Sequence, residues 1–257
     1  MAEMPIALQL YTVRDQLAED YVGTLKSVKK IGYDHVQLTG RLPFEAPEMR
    51  DVLEGIGLGV TGIHVGGDQL RDDLDRWIDY AKGVGTRDLV WPAIPEHERE
   101  TREDWLRIAE TMDELGARCR EQGIRLSYHN HSFEFLRFDG TYALDLLYER
   151  TSPENLYAEI DTYWVQHGGE DPVDYIRRYA GRLPILHVKD MADDEARSFA
   201  EVGNGILDWG AIHEAAVQAG VEVYAVEQDR CPGHPFDSAR MSLNFLRELV
   251  SGRAGQG

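Results

Sequence analysis

The sequence predicts an α/β protein folded as a single (β/α)8 (TIM) barrel, and three observations carry that expectation. Eight short apolar runs recur at roughly 25–35-residue spacing with helical patterns between them, and such alternation implies a parallel sheet. The chain has 257 residues, close to the ~250 of one such barrel. The last four runs each end in residues able to hold a metal. In a closed parallel barrel those strand ends converge on one mouth, where active sites lie.

The first expected strand covers residues 6–11 (IALQLY), followed by 35–38 (HVQL), 59–65 (GVTGIHV) and 88–91 (DLVW). The second half adds 125–131 (RLSYHNH), 156–161 (LYAEID), 183–190 (LPILHVKD) and 221–229 (VEVYAVEQD). Residues 21–31, 74–84, 104–122 and 243–250 carry apolar side chains at helical spacing. The third of these places Trp105, Ile108, Met112, Leu115 and Cys119 in one stripe. Gly32, Gly57, Gly85, Gly123 and Gly220 each fall between a helix and the next strand, where glycine is favoured just past a helix end. An open doubly wound sheet would carry a Gly-rich phosphate loop after its first strand. Here Thr12, Val13, Arg14 and Asp15 follow instead. Residues 1–257 are expected to form one domain, with 251–257 a frayed tail.

The formal net charge is -19, a field that repels nucleic acid phosphates. Acidic residues crowd the helical segments, as at 72–79 and 98–104, and read as a solvated outer surface. No apolar run approaches the ~20 residues that span a bilayer, so no membrane partner is expected. Residues 1–5 lead almost directly into the first strand, leaving no room for a signal peptide, and a cytoplasmic enzyme is expected. Cys119 and Cys231 are the only cysteines and make no disulfide framework. Cys119 lies in a helical pattern and reads as inert; Cys231 borders the 227–229 cluster without an evident activating base. Lysine is confined to Lys26, Lys29, Lys30, Lys82 and Lys189, and only Lys189 sits in a strand-end cluster.

Residues i and i+2 of a strand share a face. That pairs His129 with His131, Glu159 with Asp161, His187 with Lys189, and Glu227 with Asp229. Gln9, Tyr11, Gln37, His64 and Trp91 occupy similar places on the first four strands. A lone His or Asp at a strand end is more often structural, but four consecutive strand ends are different. Burying several carboxylates and imidazoles together is costly unless something neutralises them. A divalent cation does so, and mixed carboxylate–imidazole ligation suits Mn, Mg, Co, Fe or Zn.

The most specific segments are YHNHSFEF (128–135), EIDTYWVQHGGEDP (159–172), HVKDM (187–191), VGNGILDW (202–209) and VEQD (226–229). On these the chain resembles the sugar phosphate isomerase/epimerase superfamily, the xylose isomerase-like TIM barrels. The likeness runs from LQLYTVRD at 8–15 to SLNFLREL at 242–249. That group includes ketose 3-epimerases, inosose isomerases and dehydratases, and a distant DNA-repair endonuclease branch. The resemblance implies one divalent metal ion held by a glutamate, an aspartate, a histidine and a glutamate after strands five to eight. Asp161, His187 and Glu227 match the last three positions. Relatives commonly read Leu-Glu-Asn-His at the first, where this chain reads Tyr128-His129-Asn130-His131. His129 stands in the glutamate's place. Glu134, five residues on, is the favoured first ligand, with His129 the alternative.

In the epimerases the two metal-bound glutamates exchange protons at one carbon. A histidine in the first place alters that pair and makes His129 or His131 a candidate acid or base. Lys189 either stabilises a developing oxyanion or forms a salt bridge with Asp161, Glu159 or Asp229. Trp164 stands where many relatives carry histidine, and with Trp91 it offers an apolar wall for a sugar ring. His64 resembles a substrate-contacting position, with a satisfied core histidine as its plain alternative. Gln9 and Tyr11 are expected on the pocket floor. Gly203, Asn204 and Gly205 suggest a phosphate cradle, with Arg197 and Arg230 the nearby cations, but an unphosphorylated substrate is favoured.

The expected function is a metal-dependent sugar isomerase or epimerase acting on a keto-sugar or cyclitol through an enediolate. The catalytic set is His129, His131, Lys189 and Glu227. A lyase or dehydratase performing β-elimination is the alternative that the strand-five change favours. A DNA-repair nuclease would need three metals, more histidine ligands and a basic groove, and the charge and Trp164 argue against it. A sugar-binding barrel without turnover is the third class. A homo-oligomer is plausible from the family likeness alone.

Overall fold

The computed structural model describes residues 4–40 and 42–252. Eight parallel strands close into a barrel: β1 (Ile6–Gln9), β2 (His35–Leu38), β3 (Gly59–His64), β4 (Asp88–Trp91), β5 (Arg125–His129), β6 (Leu156–Asp161), β7 (Ile185–Val188) and β8 (Val223–Val226). Each strand pairs with its neighbours in chain order, and β8 returns to β1 through Ile6–Tyr224, Ala7–Ala225 and Leu8–Val226. The strands are short and almost wholly buried, as expected where helices cover the outer face and side chains fill the interior.

The helical segments form where the periodicity places them. The 104–122 stripe becomes a helix over Arg102–Glu121, opened by Thr101 and Asp104 bonding each other's backbone N–H. Its Trp105, Ile108, Met112, Leu115 and Cys119 all face the barrel and are buried. The 243–250 pattern is the end of a longer helix over Pro235–Val250, with Pro235 at its first position. Gly57, Gly85 and Gly220 close their helices at φ of 81°, 84° and 81°, a left-handed backbone that side chains with a Cβ disfavour. Of the expected frayed tail, Ser251 and Gly252 form a turn, and 253–257 lie outside the described residues.

Five expected strands run past the observed ladder. The expected ends at Tyr11, Val65, His131, Asp190 and Asp229 become Gln9, His64, His129, Val188 and Val226. The apolar alternation continues beyond the last ladder bond, but the backbone has by then turned into loops. Tyr11 accordingly sits in a 3-10 turn over Leu10–Val13 and is 41% exposed. It belongs to the rim of the mouth, not its floor.

The barrel interior is layered. At the N-terminal end, Arg125 donates from Nε and Nη2 to Asp88 at 2.7 and 2.9 Å and from Nη1 to Glu222 at 2.8 Å. Gly62 lies above, where a Cβ would meet Gln37 Nε2 at 3.3 Å and Ile185 Cδ1 at 3.4 Å. The C-terminal end carries the polar layers described next.

Candidate metal centre and active site

Local contacts aim the strand ends at one another. Asn130 Oδ1 accepts from the Asp161 N–H at 3.0 Å, tying the end of β5 to that of β6. Asp161 Oδ1 then caps the helix over Thr162–His167 by accepting from the Trp164 N–H at 2.9 Å. That leaves Oδ2 facing the barrel axis. Thr162 Oγ1 accepts from the Lys189 N–H at 3.0 Å and lies 2.7 Å from its carbonyl oxygen, fixing the end of β7 against that of β6.

Two overlapping groups result. His129, Asp161, His187 and Glu227 each offer one ligand atom, all within 4.8 Å of one another, and all four residues are buried. His64, His129, Glu159 and His187 form a second group under the same limit. The two imidazoles they share have a nitrogen toward each. His187 Nε2 lies 2.9 Å from Glu159 Oε1, and its Nδ1 lies 3.3 Å from Glu227 Oε2. His129 Nδ1 lies 3.4 Å from Glu159 Oε1, and its Nε2 lies 3.9 Å from Asp161 Oδ2. Lys189 Nζ completes the upper group at 2.6 Å from Glu227, 2.7 Å from Asp229 and 3.2 Å from Asp161.

Glu159 anchors the lower group. Its Oε2 accepts from Gln37 Nε2 at 2.6 Å, and His64 Nε2 lies 2.7 Å from its Oε1. Gln37 Oε1 in turn accepts from Gln9 Nε2 at 2.8 Å. Gln9 is therefore wholly buried beneath the pocket, supporting the network and not lining the floor. Sequence reasoning paired Glu159 with Asp161 and offered it only as a salt-bridge partner of Lys189, whose carboxylates in the structure are Asp161, Glu227 and Asp229. The only signal was their shared face; the depth of Glu159 below the mouth has none.

The charges are strongly coupled. Burial would raise Glu159, but the His187 and His64 imidazoles hold it well below the ordinary carboxylate range. Burial pushes Asp161 up to about 6, with the Lys189 cation pulling the other way. Burial would lower His187, yet Glu159 lifts it to about 10. Lys189 is buried too, and Asp161, Glu227 and Asp229 keep it firmly charged. His131 goes down to about 3, by burial first and the Lys189 cation second.

The donor set fits a divalent cation. His187 Nδ1 and Asp161 Oδ2, both turned toward the upper group, are buried and make no hydrogen bond of acceptable geometry among the described residues, although buried polar atoms normally find partners. Four carboxylates, Glu159, Asp161, Glu227 and Asp229, crowd one ammonium and two central imidazoles. Negative charge in excess, in a buried site, is what a divalent ion offsets.

Glu134 is not among the converging groups. Its Oε1 accepts from Tyr128 Oη at 2.6 Å and its Oε2 from the His131 N–H at 2.9 Å. Both oxygens are held in the loop, and the group that gathers at the mouth contains His129 and not Glu134. Burial still pushes the Glu134 carboxyl up to about 7.

Trp91 is not among the residues that line the opening. It is fully buried, donates to the Ala93 carbonyl at 2.9 Å, and lies so close to Gly67 that a Cβ there would fall 1.9 Å from its ring. It is packing, not a wall of the mouth. Trp164 does reach the mouth: its ring centroid is 5.3 Å from that of His131, and Lys189 Nζ is 5.7 Å from its own. His131 stacks on Phe133 at 5.3 Å on its other side. Gly203 and Gly205 are no phosphate cradle, because their N–H groups already bond Asp190 Oδ2 at 2.9 and 3.1 Å.

A closed parallel barrel with buried carboxylates and imidazoles gathered at its C-terminal mouth, in groups that could hold a cation, defines the class. Residues 25–249 match the profile of the xylose isomerase-like TIM barrels, and the chain belongs to that family. A curated relative, the inosose dehydratase of Geobacillus kaustophilus (strain HTA426), is 23% identical over 92% of this chain and 89% of its own length. Among solved structures, a sugar phosphate isomerase/epimerase from Parabacteroides distasonis ATCC 8503 superposes with a TM-score of 0.82 at 24% identity, covering 99% of this chain and 96% of the other. An L-ribulose 3-epimerase superposes at 0.73 with 16% identity, covering 98% and 96%. Likeness at these identities speaks to the fold. Among the described residues, no helix is long and apolar enough to cross a membrane.

Proposed function

We propose that this protein is a divalent-metal-dependent enzyme that removes a proton beside the carbonyl of a keto-sugar or cyclitol, with β-elimination of water or an alcohol as the outcome. The observation that carries the outcome is His129 in the corner where the family resemblance places a glutamate, while Glu134 is held elsewhere by Tyr128 and His131. Two opposed carboxylates suit the two-sided proton exchange of an epimerase. One carboxylate and an imidazole suit removal of a proton from one side and loss of a leaving group. The naming of the Geobacillus kaustophilus relative as an inosose dehydratase agrees with this reading.

We assign His129, Asp161, His187 and Glu227 as the metal ligands. A cation held there would polarise the substrate carbonyl and stabilise negative charge on its oxygen. The remaining chemistry falls to the chain's own groups. We assign the His131 imidazole, beside Phe133 and Trp164 at the mouth, to take the proton from carbon and return it to the departing oxygen, so that water or an alcohol leaves and the imidazole ends neutral, the form that burial and the Lys189 cation favour. Lys189 Nζ holds Glu227 and Asp161 in place and is a donor for a substrate oxygen. Trp164 and Phe133 flank His131 and keep water from that side. His64 lies against Glu159 and His187, its ring stacked 5.2 Å from that of His187, so its role is to hold the ligand histidine.

The same deprotonated substrate returned to protonated carbon gives isomerisation, the second reading, which the structural match to an L-ribulose 3-epimerase accompanies at the level of fold. Incubation with an inosose and a panel of keto-sugars in heavy water separates the two. Enone formation with loss of water supports elimination; deuterium incorporation with retained composition supports isomerisation. Absence of stoichiometric divalent metal in protein purified without chelator defeats both.

A further inference from the structure

We infer that the substrate carries an anionic substituent, a carboxylate or a phosphoryl group, which docks in an arginine-lined cleft beside the metal centre. The inference rests on the reading of the mouth as a sugar site and adds the charge of what it takes. A cleft of about 720 Å3 opens at the rim and reaches Asp229 and Trp164, the outer edge of the centre. Arg14, Arg197 and Arg230 all line it. The chain has 46 acidic residues against 27 lysines and arginines, so three guanidiniums around one opening run against its overall balance.

None of the three is bound to a carboxylate among the described residues. Arg14 donates to the backbone carbonyls of Tyr11 and Asp229 at 2.9 and 3.0 Å. Arg197 donates to the carbonyl of Gln166. Arg230 is exposed at the rim. Carbonyl contacts orient a guanidinium without neutralising it, and its remaining N–H groups stay free for a planar anion. The one carboxylate in the lining, Asp229, turns toward the centre, 2.7 Å from the Lys189 Nζ that it shares with Asp161 and Glu227, while the three guanidiniums line the cleft.

The backbone places Arg197 with care. Its φ is +52°, a left-handed conformation that costs a non-glycine residue and clusters at functional sites. Tyr163 Oη holds it there, donating to the Arg197 carbonyl at 2.7 Å. The Tyr163 ring stacks on Phe199 at 4.2 Å, and Phe199 packs edge-on to Trp164 at 5.6 Å. That aromatic wall runs from the arginines to the ring that flanks His131. A sugar ring lying over Trp164 would therefore project a substituent toward Arg197 and Arg230.

Calorimetric titration of the purified protein with D-glucuronate, D-glucose 6-phosphate and D-glucose tests this. Glucuronate or the phosphate ester should bind at least tenfold more tightly than glucose, and whichever binds better identifies the anion. The preference should fall to less than threefold in Arg230→Glu and in Arg197→Gln. Arg230→Glu lies on an exposed side chain, so its folding is safe, and a thermal melt confirms it. Equal binding of the three sugars, no binding of either anionic one, or a preference that survives both substitutions overturns the inference. Metal content measured on the same samples tests the centre separately, so the two readings fail independently.

Discussion

At the residue scale, the centre depends on which nitrogen each imidazole presents. His187 Nε2 lies 2.6 Å from Gln37 Oε1 and 2.9 Å from Glu159 Oε1, and His129 Nδ1 lies 3.4 Å from the same Glu159 oxygen, which leaves His187 Nδ1 and His129 Nε2 toward Asp161 and Glu227. A carboxylate behind a ligand histidine fixes its tautomer and its basicity, and its loss typically weakens metal binding about 10–100-fold. Glu159→Gln should therefore weaken Mn binding about tenfold or more in a competition titration while the fold stays intact by circular dichroism; unchanged affinity would remove Glu159 from this role. His129→Ala and Glu134→Gln separate the two candidates for the first ligand. His129→Ala should lose stoichiometric metal by elemental analysis, and Glu134→Gln should keep it. Retention in the first with loss in the second would restore Glu134.

At the element scale, the loop after β7 is shaped by one buried carboxylate. Asp190 Oδ1 accepts from the N–H groups of Met191 and Leu207, and Oδ2 from those of Gly203 and Gly205 and from Trp209 Nε1 at 2.7 Å. A Cβ on Gly205 would lie 2.2 Å from Asp190 Oδ1, so glycine is required for that approach. This folds VGNGILDW back onto the end of β7, which carries His187 and is followed by Lys189. Asp190→Ala would leave five donors without their acceptor. A loss on the order of 3 kcal/mol is expected, since bonds to a charged group contribute about 1.5–3 kcal/mol each and partial solvation recovers some of it. Urea unfolding reads this directly, and a change below about 1 kcal/mol would show that the loop is held by other contacts.

At the scale of the whole molecule, stability and chemistry occupy opposite ends of the barrel. The Asp88–Arg125–Glu222 ion pairs close the N-terminal end, and the converging histidines and carboxylates close the other. Arg125→Met should destabilise the protein by about 3–5 kcal/mol, because Asp88 is left buried without its partner, yet leave metal stoichiometry unchanged. Concurrent metal loss would show the two ends to be coupled. Removing the metal with a chelator should lower the melting temperature, since a ligand bound only to the folded state at 100 times its Kd adds about 2.7 kcal/mol. An identical melt with and without chelator would count against a cation at this centre. The alternation of runs and helices was enough to specify the barrel, because period-2 and period-3.6 patterns are local properties of the chain. The same local pattern brought His129, Asp161, His187 and Glu227 to consecutive strand ends. It overshot at Tyr11 and placed Trp91 at the mouth, because hydrophobic alternation does not mark the last ladder bond or how deep a side chain ends up. Only the closed barrel decided that Glu159 lies beneath the imidazoles, that Glu134 is held by Tyr128, and that Asp190 fills the glycine loop. Those relations join residues of different strands and loops, and their distances are set by how the strands are staggered and the loops folded over them, which no single stretch of sequence contains.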